Sequence, residues 1–148
     1  MSDTTVLHKL LHVREREKDE AQRKQLEAVD KFEKVAKQLY VALKSKEDAE
    51  KGLEESMQVT ATINKIKEQS TYIEALNQKI IVLQQQVDLA RQQLAKKDAK
   101  LTEAHVEMKK IEKMIERRLQ KEKELEKKME LDKMNEISIR QYLAQVPK

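Results

Sequence analysis

Residues 73–115 read IEALNQKIIVLQQQVDLARQQLAKKDAKLTEAHVEMKKIEKMI. Apolar side chains recur there in alternating steps of three and four: Ile73, Leu76, Ile80, Leu83, Val87, Ala90, Leu94, Leu101, Ala104, Met108, Ile111 and Ile115. Lys97 is the one interruption. A mean step of about 3.5 residues is that of the a and d positions of a heptad. A stripe of that period stays against its partner only if the helices supercoil left-handedly. The stretch therefore predicts one helix of a coiled coil. Beyond Ile115 the seam degrades to Arg118 and Glu122, then partly recovers at Leu125, Met129, Ile139 and Leu143.

Towards the N-terminus lies a second, weaker seam. It runs Leu7, Leu11, Arg14, Lys18, Ala21, Gln25, Ala28, Phe32, Val35, Leu39, Ala42, Lys46, Ala49 and Leu53. Its alanines allow close helix approach but bury little area. Leu10, Leu26, Val29 and Leu43 widen the stripe beside it. The first helix is expected to begin near Asp3 to Thr5, all N-capping residue types.

Between the seams lies the one break. Gly52 is the only glycine; Glu54, Glu55 and Ser56 follow, then Val59, Thr60 and Thr62. Thr62 fits as the cap of a second helix, while Thr71 with Glu74 three residues on fits a capping box and would start that helix later. Gly52 also reads as an exposed helical glycine, costing about 1 kcal/mol against alanine. The sequence predicts helix 1 over about 5–55, a reversal at about 56–62 and helix 2 over about 62–143. The expected fold is all-α, a long antiparallel two-helix coiled-coil hairpin, with residues 1–148 a single coiled-coil unit. A reversal near residue 59 would pair residue 7 with about residue 111. The last thirty or so residues would then overhang the hairpin.

Composition closes off the other classes. Of 148 residues, 39% are charged, against roughly 25% in an average globular domain. One glycine and one proline leave a compact chain too few turns, which excludes ordinary α/β and all-β domains. Disordered chains are rich in Pro, Gly and Ser and short of apolar residues. Here 39% of residues are hydrophobic and they are periodic.

Little in the sequence carries chemistry. The absence of cysteine removes disulfides, thiolate nucleophiles and Cys-based zinc sites. His8 and His12, four apart, share a helix face, but no third ligand is evident, so they read as polar residues beside the Leu7 and Leu11 seam. There is no glycine-rich phosphate loop and no Gly-x-Ser-x-Gly elbow. A two-helix seam encloses no concave pocket. No enzyme activity, cofactor or metal is expected. The longest apolar run, Ile80 to Leu83, is far short of the roughly 20 residues that cross a bilayer. The N-terminus lacks a secretory-type apolar stretch. The expected protein is soluble, at most peripheral to a membrane.

The charge pattern is more informative. Lys109, Lys113, Arg117 and Lys121 form a row at four-residue intervals. Such a row suits an acidic protein partner, phosphates or anionic lipid; the plainer reading is a solvated face, with Glu107, Glu112, Glu116, Glu122 and Glu124 alongside. A net charge of only +4 and few aromatics argue against nucleic acid. Tyr40 and Tyr72 flank the reversal outside the strict seam, where an aromatic either anchors a partner or packs locally. Ile137 to Leu143 has few apolar partners within the chain, which favours docking on another protein.

Several segments together look familiar: Leu10-Leu11, Gln38-Leu39-Tyr40, the Tyr72 region, Leu101-Thr102-Glu103, Val106 to Met114, and Glu136 to Gln141. In this order and at this length the chain resembles the FliJ family, the coiled-coil component of the bacterial flagellar type III export apparatus. The resemblance covers nearly the whole chain and none of its motifs is catalytic. It implies an antiparallel two-helix stalk that binds the flagellar export ATPase ring, the export-gate membrane protein and export chaperones. It also implies a role in motility and chemotaxis, and a place in the cytoplasm, peripheral at the inner face of the cell membrane in the flagellar basal body. Carried over, Leu7, Leu11, Lys109, Lys113, Arg117 and Lys121 would contact the ATPase ring. Gln38, Leu39, Tyr40, Tyr72 and Leu76 would contact the gate. Ala42, Ser45 and Ala49 are smaller than the bulky residues often found on that middle face, and Lys79 stands in place of a small one. The alternatives are a scaffold or tethering coiled coil of another complex, and a basic helical binder of nucleic acid or anionic membrane.

Overall fold

In the computed structural model, residues 3–59 and 62–146 are described. They form two helices, α1 (Asp3–Gln58) and α2 (Ile63–Gln145), with no strand among the described residues. The fold is an all-α antiparallel helical hairpin. Two compact units can be distinguished, one of Asp19–Glu103 and one of Met1–Lys18 with Ala104–Lys148.

In the 19–103 unit, α1 and α2 pack along both seams. Leu76, Ile80, Leu83 and Val87 are buried on α2, whereas only Ala28 and Ala42 are buried on α1. The size difference has a physical sense. Small residues at the α1 seam positions leave room for the large side chains of α2. Ala42, Ile80 and Leu83 form the central cluster, with Leu39 packed against it. Each fully buried aliphatic side chain contributes roughly 1.5–3 kcal/mol, so α2 supplies most of the apolar stabilisation. Cross-helix pairs fix the direction. Gln25 Nε2 donates to Asp98 Oδ1 at 3.0 Å, and the Arg91 guanidinium lies 5.9 Å from the centre of the Phe32 ring. Seven residues forward on α1 match seven residues back on α2, the signature of antiparallel pairing.

The reversal is local chemistry. The Val59 amide still donates to Glu55 O at 3.2 Å, extending the last turn of α1. Thr62 then caps α2: its Oγ1 accepts from the Lys65 amide at 3.4 Å, and its carbonyl accepts from Ile66 at 3.2 Å. The other candidate cap does not start the helix. Thr71 lies inside α2, where its hydroxyl donates back to Lys67 O at 2.8 Å. Hydroxyls make that bond in mid-helix, and the seam continues past it, with Ile73, Gln69 and Ile66 all half-buried. Thr60, part of the expected break, lies outside the described residues. The turn is centred beyond Val59, so facing pairs such as Gln25 and Asp98 sit further along α2 than a turn at residue 59 would put them. Gly52 lies within α1 at negative φ, with nothing within 4 Å of where a Cβ would stand.

In the other unit, Met108, Ile111 and Ile115 are buried, and Leu7, Leu10, Leu11, Arg14 and Lys18 are half-buried. Arg14 reaches out of its seam position to Glu17 Oε2 with Nη1 at 2.9 Å, leaving its buried Nε without a hydrogen-bond partner. From residue 119 onward every described residue of α2 is exposed, including Leu125, Met129, Leu131, Ile139 and Leu143.

Candidate partner-binding surfaces

Beside the seam of the 19–103 unit the two helices leave an open groove of about 690 Å³. Gln38, Tyr72 and Leu76 line it, together with Lys34, Lys37, Val41, Ala42, Ser45 and Lys79. Leu76 is 8% exposed and forms part of the floor, whereas Tyr72 is 54% exposed and stands at the rim. An exposed phenol over an apolar floor with ammonium groups around it suits a partner carrying both apolar and acidic groups. Three of the five expected middle-face residues are therefore gathered in one place. The other two are not in it. Leu39 is turned into the seam against Ala42, Ile80 and Leu83, and Tyr40 is 67% exposed without lining the groove. The cause is helical rotation: two residues on from Gln38 the side chain lies about 200° round the helix.

The expected ring-contacting residues all fall in the other unit. Lys109, Lys113, Arg117 and Lys121 are exposed, and Leu7 and Leu11 are half-buried. Lys109 Nζ is held by Glu112 Oε2 at 2.9 Å. Among the described residues Lys113, Arg117 and Lys121 have no ion-pair partner, although Glu116, Glu122 and Glu124 are near in sequence. Lys110, off the row, pairs with Glu107 at 3.0 Å. The row thus keeps three free cations four residues apart.

Among the described residues no three His, Cys, Asp or Glu side chains gather as a metal site requires. His12 Nδ1 lies 3.8 Å from Glu15 Oε2, within a single helix turn. The clearest electrostatic perturbation is at the surface: the Arg23 hydrogen bond holds the Glu20 carboxyl below the usual carboxylate range, and Glu20 in turn raises Arg23. Among the described residues no helix is long and apolar enough to cross a membrane.

The family described as Flagellar FliJ protein matches residues 4–146. The chain belongs to the flagellar FliJ family. The Flagellar FliJ protein of Bacillus subtilis (strain 168) is 31% identical over 137 residues, which is 93% of each chain. No solved structure matches. The FliJ match takes in both surfaces, the middle groove and the basic row. Sequence reading missed that Lys34, Lys37 and Val41 border the groove. A signal for the edge was present: Lys24, Lys31, Gln38 and Ser45 recur every seventh residue beside the α1 seam, and Tyr72, Lys79, Gln86 and Gln93 do so beside the α2 seam.

Proposed function

We propose that this chain, a flagellar export component by its family, works without catalysis as a coiled-coil stalk, residues 1–148 acting as one unit. In this reading Leu7, Leu11 and the row Lys109, Lys113, Arg117 and Lys121 engage the export ATPase ring. Gln38, Tyr72 and Leu76, with Leu39 and Tyr40 nearby in sequence, engage the export-gate membrane protein at the cytoplasmic face of the cell membrane. Export chaperones are further partners, and the output is protein export serving motility and chemotaxis. The observation that carries the reading is the use of the apolar surface. The seam buries Leu76, Ile80, Leu83 and Val87 in one unit and Met108, Ile111 and Ile115 in the other, and beside it stand a cation-edged groove in the first and free cationic charge in the second. A helical pair of this kind influences ATP turnover by asymmetric contact with a ring, so its effect appears only with the ATPase present.

The test has two arms. The purified chain should stimulate the flagellar export ATPase, and the triple change Lys113→Glu, Arg117→Glu, Lys121→Glu should remove most of that stimulation. Tyr72→Ala should weaken binding to the gate protein with helicity intact. Normal motility and secretion in a deletion strain would sink the proposal.

A further inference from the structure

The groove at Tyr72 does not end there. A second depression, lined by Lys31, Lys34, Val35, Gln86, Leu89, Ala90 and Gln93, shares Lys34 with it. A third, lined by Lys24, Glu27, Ala28, Lys31, Ala90, Gln93 and Lys97, shares Lys31, Ala90 and Gln93 with the second. Together they make one furrow along one flank of the seam, within the 19–103 unit, from Lys24 to Ser45 on α1. At 1.5 Å per residue this is about 31 Å of helix.

Its chemistry is one-sided. Lys24, Lys31, Lys34, Lys37, Lys79 and Lys97 border it, against the single acid Glu27. Glu27 is already held by Arg23 at 2.7 Å. Lys34 pairs with Asp30 at 3.0 Å, and Lys24 only approaches Glu20, at 4.0 Å. Lys31, Lys37, Lys79 and Lys97 have no ion-pair partner among the described residues. The floor is apolar and built largely of small residues, with Ala28, Val35, Ala42 and Ala90 between the exposed Val41 and Leu89. Small floor residues beside an existing seam leave room for a third helix, and residues at heptad flanks are those that select its charge.

We infer that this furrow receives an amphipathic acidic helix of about six turns from a partner protein, laid along the hairpin as a third strand of the coil, its apolar stripe on the alanine floor and its carboxylates against the lysine edges. A nucleic acid would find Tyr72 as the one aromatic lining residue and no row of rings to stack on. A bilayer is flat and does not reach a floor recessed between two helices. The inference goes beyond the stalk reading: it stands whichever export component carries the helix.

The test uses the full chain and a labelled 21-residue peptide helix with a leucine heptad stripe flanked by glutamates, followed by fluorescence anisotropy. Two control peptides carry lysines in place of the glutamates, or serines in place of the leucines. The acidic amphipathic peptide should bind, weaken steeply with salt, and exceed both controls by about tenfold or more. Lys31→Glu, Lys34→Glu, Lys79→Glu together should lower its affinity about tenfold, whereas reversing Lys109, Lys113 and Arg117 should change it less than about twofold. Leu89→Asp, an exposed floor change, should also weaken it, with circular dichroism confirming helicity in each variant. Equal binding of the serine peptide, equal losses from both charge reversals, or tighter binding of phosphatidylglycerol vesicles or single-stranded DNA through the same lysines would overturn the inference. A failed titration with intact ATPase stimulation and gate binding would reject the furrow and leave the stalk reading standing.

Discussion

The two flanks of one seam differ in how they are finished. On one, in the 19–103 unit, polar and aromatic side chains reach across to the facing helix: Gln25 to Asp98, and Arg91 to Phe32. On the other, Lys24 and Lys31 of α1 and Lys79, Gln86 and Gln93 of α2 line the edge, with no cross-helix hydrogen bond among the described residues. The contrast teaches that the seam supplies most of the hold between the helices, while one flank adds a little and the other is left open. Like charges across an unfilled edge cost little in water, because they are exposed and screened.

Both flanks depend on the buried line between them, so the largest effect should come there. Leu83→Ala should cost about 3 kcal/mol, read as a lower thermal midpoint by circular dichroism. Gly52→Ala touches neither flank and meets nothing within 4 Å, so it should raise stability by about 0.5–1 kcal/mol. A loss there would mean that α1 needs its glycine. On the closed flank, Arg91→Ala should cost about 0.5–1 kcal/mol by removing the guanidinium over Phe32. On the open flank, Lys31→Glu with Lys79→Glu should shift stability by less than about 0.5 kcal/mol. A loss as large as that of Arg91→Ala would erase the distinction. The smallest effect is electrostatic and pH-dependent. Glu20 is depressed in the folded chain, chiefly by its hydrogen bond from Arg23, so its contribution is present above the unfolded carboxylate value of 4.5 and fades as pH falls through the lower folded value. Acid titration followed at 222 nm should show a slightly shallower loss of helicity for Glu20→Gln than for the unaltered chain.

The seam was readable residue by residue. Every position of both heptad series through Ile115 is buried or half-buried, including the polar Lys18, Gln25, Lys46 and Lys97. Period alone decides this, since a helix that supercoils must turn those positions inward whatever stands there. Thr62 and Thr71 were not distinguishable in the same way. Both hydroxyls suit a cap, and the choice depends on where the chain leaves α1. The partial seam recovered beyond Glu122 is exposed, because repeating apolar residues signal burial only where a second helix is present to bury them. The groove was harder still. Gln38, Tyr72 and Leu76 could be singled out one by one. Their meeting with Lys34, Lys37 and Lys79 follows from the register between helices, which a single helix does not encode.

That register restricts how the hairpin can change length. Residues facing each other advance on α1 as they retreat on α2, so one extra residue in either helix would rotate everything beyond it by about 100° and carry the lysine edge out of line. Lengthening or shortening that preserves the furrow must come in matched steps of about seven residues in both helices at once. The reach of the hairpin is thus set in whole heptads, and a spliced heptad pair would serve as a molecular ruler for the distance between whatever it joins.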